Sequence, residues 1–176
     1  MNIRQSTWLS GARLVMAVVA AVLVGVDLGV KALIEQRLGD GRTLDVGILD
    51  LRLGYNTGAA FSVGSDLPGW LVLAVTAAVT VVVAGFAWVM AGRARTSGWL
   101  VAGLAAVVGG AVGNLVDRAG DGRVTDYLHT GWFPTFNLAD VFITCGAVVF
   151  AASTVFNPDI EDTAATKARP MTTDQR

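Results

Sequence analysis

The sequence predicts an all-α polytopic membrane protein of four transmembrane helices, with a small extracytoplasmic β-ribbon or cradle between helices 1 and 2 and a short loop between helices 3 and 4. Three observations predict it. The 176-residue chain is 53% hydrophobic and only 15% charged, with mean hydropathy +0.58, too apolar for an ordinary soluble domain of that length. Four apolar runs approach the ~20 residues needed to cross a hydrocarbon core. The five tryptophans, Trp8, Trp70, Trp88, Trp99 and Trp132, fall at the ends of those runs or just outside, where amphipathic rings prefer the headgroup layer.

The first span covers about residues 14–34. It follows Arg4 and Arg13 as a signal peptide would. The apolar pattern nevertheless runs on through Gly25, Leu28 and Leu33 without a small-residue cleavage site, so the span reads as retained. Residues 35–67 are not linker-like. Leu44, Val46 and Ile48 alternate onto one face, then after a slip Leu51, Leu53 and Tyr55, bracketed by Gly41, Gly47, Gly54 and Gly58. This is the ribbon, expected to rest on the membrane surface. The second span covers 68–91, and after the turn "AGRARTSG" the third covers 97–116. In "GGAVGNLVDR", Gly109 and Gly113 make a small-xxx-small face suited to helix packing. Residues 117–137 are the second extracytoplasmic segment and 138–157 the fourth span, so 1–157 reads as a single membrane-embedded domain. The tail, 158–176, is polar and reads as a disordered cytoplasmic extension.

Charge narrows the function. A net charge of -1 offers no basic surface for nucleic acid. Cys145 is the only cysteine and His129 the only histidine, which excludes a disulfide framework and argues against a His/Cys metal site. Cys145 lies deep in an apolar run that disfavours the thiolate, so it reads as a small core residue rather than a nucleophile. "NTG" is no glycosylation sequon, because position 58 is Gly. Carboxylates remain as the acid–base resource.

Four spans place both termini on one side. Arg4, Arg13, Arg93, Arg95, Lys167, Arg169 and Arg176 lie there, against Lys31, Arg37, Arg42, Arg52, Arg118 and Arg123 on the other. The acid-free "AGRARTSG" turn tilts this balance toward cytoplasmic termini.

Acids inside spans cost about 2.5–3.5 kcal/mol each at the bilayer centre, so each asks for a reason. Asp27 lies toward the far end of the first span, Asp117 ends the third, Asp126 follows in the loop and Asp140 begins the fourth. Because successive spans alternate direction, all four gather at one membrane face, together with "NTGAAF". That favours a membrane-surface hydrolase. The alternative, a small proton-coupled transporter, calls for carboxylates near the midplane and a repeat between halves, and no repeat is visible. Each acid also has a structural reading. Asp27 can pair with Lys31 one turn on, and Asp117 can be an ion-pair partner of Arg118 or a helix-end group. Asp126 can be a plain loop residue. Asn137 and Asp140, three apart, have the spacing of an N-cap and its N3 acid. The partner of Arg118 stays open: Asp117 is adjacent but points elsewhere on a helix, so Asp27 or a loop acid fits as well.

Five motifs together resemble one family. "DLGVK" (27–31), "NTGAAFS" (56–62), "GNLVDR" (113–118), "VTDYL" (124–128) and "FNLADVFI" (136–143) are similar, in order and in register with the spans, to the boxes of the lipoprotein signal peptidases, or signal peptidase II. Tyr127 stands where the pattern often has Phe. The resemblance implies a bacterial intramembrane aspartyl protease that needs no cofactor or metal. It would act as a monomer in the inner membrane, with cytoplasmic termini and its site near the outer leaflet. Its substrate would be a membrane-held prolipoprotein, cut before a cysteine already carrying a diacylglyceryl thioether. By the same matching, Asp126 and Asp140 are the catalytic pair, and Asp27, Asn56, Gly58, Ala60, Asn114, Arg118, Asn137 and Ala139 shape the site or hold substrate. Two such carboxylates titrate as a unit, and the sequence does not assign the resting proton.

Overall fold

The computed structural model describes residues 3–58, 67–93 and 97–156, with side chains from residue 11 onward. Ala60 and the tail from residue 157 lie outside the described residues. The elements run α1 (Ile3–Leu38), β1 (Thr43–Asp45), β2 (Asp50–Asn56), α2 (Gly69–Ala91), α3 (Gly98–Asp121), β3 (Val124–His129) and α4 (Leu138–Val155). Four helices, Gly11–Leu38 within α1 and the whole of α2, α3 and α4, are long and apolar enough to cross a membrane.

The ends of α1 and α3 run beyond the expected spans. Hydropathy marks where a helix is greasy, not where it stops. The last turns of α1 continue because Ile34 and Leu38 are buried with Tyr127 against the sheet. Helix α3 continues to Asp121 and stops at Gly122, whose φ of 85° suits a residue without Cβ, and whose N–H donates to the Arg118 carbonyl at 2.9 Å. At its start, the Ser97 hydroxyl accepts from the Leu100 N–H at 3.2 Å.

Helix α3 is the centre of the bundle and packs on the other three. Its glycines set the spacing. A Cβ on Gly109 would lie 3.0 Å from Leu23 Cβ, and one on Gly113 would lie 2.8 Å from Asp27 Oδ2, so this stripe is the seat of α1. The neighbouring Gly103 and Gly110 seat α4 instead: a Cβ on Gly110 would run into the Ala139 carbonyl oxygen. At the end of the bundle remote from the acids, Met16, Ala87, Met90, Ala91, Leu100, Val101, Leu104 and Ala105 form an apolar core. Elsewhere the spans present Val18, Val22, Val79, Val82 and Val148 outward, as helices bathed in lipid should. Cys145 is also exposed on α4, so it faces this lipid surface rather than the core. The slender cross-section explains the difference, because most of each span has lipid and not protein beside it.

The ribbon is a three-stranded antiparallel sheet in the order β1-β2-β3. The third strand replaces part of the expected loop between α3 and α4. β3 pairs Leu128 with Leu51 and Asp126 with Gly54, and the register shifts between those pairs. Such an irregularity breaks the alternation of faces. Leu51 and Leu53 accordingly pack toward Leu38, while Tyr55 turns out beneath the Arg123 guanidinium, 3.7 Å from its ring centre. β1 is shorter than the alternation suggests: Val46 and Ile48 lie in the turn after it and are exposed.

Candidate active site

Asn137 holds the site together. It is wholly buried and caps α4 reciprocally: its Oδ1 accepts from the Asp140 N–H at 3.0 Å, and its own N–H donates to Asp140 Oδ2 at 3.2 Å. With its oxygen spent on the cap, its amide nitrogen turns the other way. That Nδ2 donates to Asp126 Oδ1 at 2.7 Å and to Asn114 Oδ1 at 3.1 Å. One side chain thus bridges the carboxylate on α4 and the carboxylate on β3. The Asn114 Nδ2 closes the ring by donating to Asp140 Oδ1 at 2.9 Å.

The two carboxylates differ in surroundings. Asp126 is 6% exposed, enclosed by the sheet, and burial pushes its carboxyl from 3.8 up to about 7. Hydrogen bonds from Asn137 and Asn56 pull the other way, and the charge of Asp140 reinforces the rise. Asp140 is half-buried at the first turn of α4, where the positive helix end and two N–H donors meet it.

A layer of ion pairs lies beneath. Asp27 is fully buried; its Oδ1 accepts from the Ala139 N–H at 2.9 Å and its Oδ2 pairs with Lys31 Nζ at 2.8 Å. Lys31 also meets Asp117 at 3.1 Å and donates to Asn114 Oδ1 at 2.8 Å. Asp117 accepts in turn from the Thr125 N–H at 2.8 Å, which ties α3 to the residue before Asp126. The Thr125 hydroxyl donates to Glu35 at 3.0 Å. Tyr127, buried at 3% exposure, accepts from the Leu138 N–H at 3.3 Å, and burial pushes its phenol up to about 12.

Arg118 is buried, and its terminal nitrogens donate to the Thr57 carbonyl at 3.1 Å and the Gly58 carbonyl at 2.5 Å. Its hydrogen bonds among the described residues therefore go to backbone oxygens, while the charges of Asp126 and Asp117 act on it without an ion-pair contact. Gly58 is drawn in from its other side, its N–H donating to Asn56 Oδ1 at 3.0 Å. Thr57 and Gly58 are thus fastened next to Asn56, whose side chain hydrogen-bonds Asp126.

The structure brings together Asp27, Asn56, Gly58, Asn114, Arg118, Asp126, Asn137, Ala139 and Asp140 of the residues singled out from the sequence. Sequence reasoning passed over Lys31, Thr125 and Tyr127 as parts of this cluster. Lys31 had a signal: a lysine four residues after a buried acid falls on the same helix face and points at whatever that face meets. His129 ends β3 opposite Asp50, and its ring lies 3.3 Å from the Thr135 hydroxyl, apart from the acid cluster.

Residues 19–156 match the family model described as signal peptidase (SPase) II. The lipoprotein signal peptidase of Rhodococcus jostii is 37% identical over 159 residues, covering 86% of this chain and 77% of that protein. The lipoprotein signal peptidase of Ectopseudomonas mendocina is 39% identical over 144 residues, covering 75% of this chain and 82% of that protein. Among solved structures, a bacterial membrane enzyme determined at 2.3 Å superposes with a TM-score of 0.70 at 23% identity, covering 89% of this chain and 93% of that one.

Proposed function

The chain belongs to the signal peptidase II family and is a membrane peptidase, and from that premise we propose that it cuts prolipoproteins immediately before an S-diacylglyceryl cysteine, using a water activated between Asp126 and Asp140. The observation that carries the reading is the Asn137 bridge. It holds the two carboxylates to one amide and one helix start, in unequal surroundings.

The unequal surroundings favour one division of roles. Asp126, with its carboxyl raised to about 7, keeps the shared proton, while Asp140, facing N–H donors and a helix N-terminus, is the charged member. Asp140 takes a proton from the water as the water oxygen attacks the scissile carbonyl carbon. Asp126 gives its proton to the carbonyl oxygen. The tetrahedral diol then collapses: Asp140 returns its proton to the leaving amine nitrogen, the C–N bond breaks, and Asp126 recovers a proton from a diol hydroxyl. Atoms and protons balance, and the pair ends as it began.

Substrate enters from the bilayer. The exposed apolar faces of the spans suit its acyl chains, while β2, β3 and the Arg118-held residues Thr57 and Gly58 cradle the extended peptide. Trp70 and Trp132 sit exposed at the site end, and Trp88 and Trp99 at the other end with Arg13 and Arg93. We read the arginine end as cytoplasmic and the site as lying near the outer leaflet. One chain carries both carboxylates, so a monomer suffices.

The test is a comparison of substrates. Purified protein should process an S-diacylglyceryl prolipoprotein, seen as a gel shift, and leave its unlipidated form intact. Equal cleavage of both forms would remove the lipid from the recognition. Proton-linked flux in liposomes without any cleavage would replace the reading with transport.

A further inference from the structure

Lys31 is buried, and its ammonium carries three N–H groups and no acceptor. It meets three acceptors, Asp27 Oδ2 and Asn114 Oδ1 at 2.8 Å each and Asp117 Oδ2 at 3.1 Å. The contact with Asn114 is not an ion pair and does more than neutralise charge. An amide group presents an oxygen on one side and an N–H on the other, and exchanging the two reverses what each neighbour receives.

The orientation of Asn114 is forced. On its oxygen side stand Lys31 Nζ and Asn137 Nδ2, both donors. Asn137 cannot turn over to offer its oxygen, because that oxygen accepts the Asp140 N–H at the start of α4. A reversed Asn114 would face an ammonium with an N–H group and show Asp140 an oxygen against a carboxylate. The chain Lys31–Asn114–Asp140 thus runs from a cation on α1, through an amide on α3, to a carboxylate on α4.

We propose that Lys31 is a positioning residue of the active site: its ammonium fixes the Asn114 side-chain amide so that the Asn114 N–H points at Asp140 and holds that carboxylate in line with Asp126. This rests on the reading of Asp126 and Asp140 as the catalytic pair. The charged groups around the relay are Asp27 and Glu35 on α1, Asp117 and Arg118 on α3, Asp126 on β3 and Asp140 on α4. Lys31 touches neither catalytic carboxylate: its charge acts on Asp126 through space, against the rise that burial causes, while its hold on the Asp140 geometry travels through the Asn114 amide.

The proposal separates from a purely structural role in a double-mutant cycle. Lys31→Met alone leaves Asp27 and Asp117 short of a cation, so the cycle is built on Asp27→Asn, whose amide oxygen can still accept the Ala139 N–H. On that background, Lys31→Met, Asn114→Ala and the two together are compared in one detergent. The readouts are thermal unfolding and the kcat, KM and pH profile for an S-diacylglyceryl lipopeptide.

Lys31→Met is expected to lower kcat by about 10²-fold, the scale of a misplaced reacting group, with KM within about threefold and unfolding little changed. Asn114→Ala should do the same. Combining them should cost no more than the worse single change, because both break one relay. The kcat pH profile should change with either, because the Asn114 N–H no longer holds the Asp140 carboxylate beside Asp126. Multiplying effects, or an unchanged kcat and pH profile in a folded Lys31→Met variant, would overturn the proposal. If Lys31→Met fails to accumulate, the same comparison is made with Asp117→Asn added, which leaves neither Asp27 nor Asp117 charged. Failure of both to fold would make Lys31 structural and also overturn it. Asp126→Asn and Asp140→Asn run alongside: normal turnover by either would defeat the catalytic pair itself, a result distinct from absent coupling.

Discussion

Asp126→Asn should abolish turnover and make the protein more stable, increasingly so as pH rises. Burial is the largest cause of the raised carboxyl, so the folded protein prefers a neutral group at this position. The preference has a definite sign. A carboxyl whose folded value lies above its unfolded one contributes most below the unfolded value, and that contribution is lost as pH climbs through the folded value. Here the window runs from 3.8 to about 7. Three units or so correspond to at most about 4 kcal/mol above pH 7 and to about 1.5 kcal/mol at pH 5. Asparagine removes this penalty, and its oxygen can still accept the Asn137 N–H that Asp126 Oδ1 accepts in the wild type. The variant's advantage should therefore grow by about 2.5 kcal/mol between pH 5 and pH 8.5. Tryptophan-monitored unfolding in detergent reads this as a widening Tm gap of about 5 °C. A gap independent of pH, or a variant less stable than wild type at pH 8.5, would refute the buried, proton-holding role of Asp126.

The same carboxyl should govern rate: wild-type kcat is expected to fall as pH rises through about 7, as Asp126 loses its proton, in a pH series of lipopeptide cleavage. Asn137→Ala should cost about 10²-fold in kcat by freeing both carboxylates and about 1 kcal/mol of stability through the lost cap; activity assay and unfolding measure the two separately. Gly110→Ala should destabilise by about 1–3 kcal/mol, since its Cβ meets the Ala139 carbonyl and must push α4 away, whereas Gly85→Ala, with nothing within 4 Å, should be neutral in the same unfolding assay.

The four spans were legible because lipid imposes long apolar helices on any chain that crosses it, and tryptophans mark the boundaries. The gathering of the acids followed from alternation of direction alone. What alternation could not show is that Val124–His129 forms a strand. Its partner, β2, lies about 70 residues earlier, and the polar Thr125, Asp126 and His129 blur the apolar pattern that marks a strand. With β3 missing, Asp126 reads as a loop acid and its burial is invisible. The Asn137–Asp140 cap was readable from spacing, because a capping box is local. Lys31 was readable as a partner of Asp27, but its reach to Asn114 and Asp117 depends on α3 packing at glycine distance, as Gly113 against Asp27 shows. Arg118 kept its partner hidden for a similar reason: backbone carbonyls of another loop carry no sequence signature.

The central claim is that Asp126 and Asp140 together perform the cleavage. Wild type, Asp126→Asn and Asp140→Asn, purified to equal amounts of folded protein, are to be given an S-diacylglyceryl prolipoprotein and followed by gel shift. The account predicts complete processing by wild type and no processed band from either variant over the same time, and full processing by either variant would contradict it.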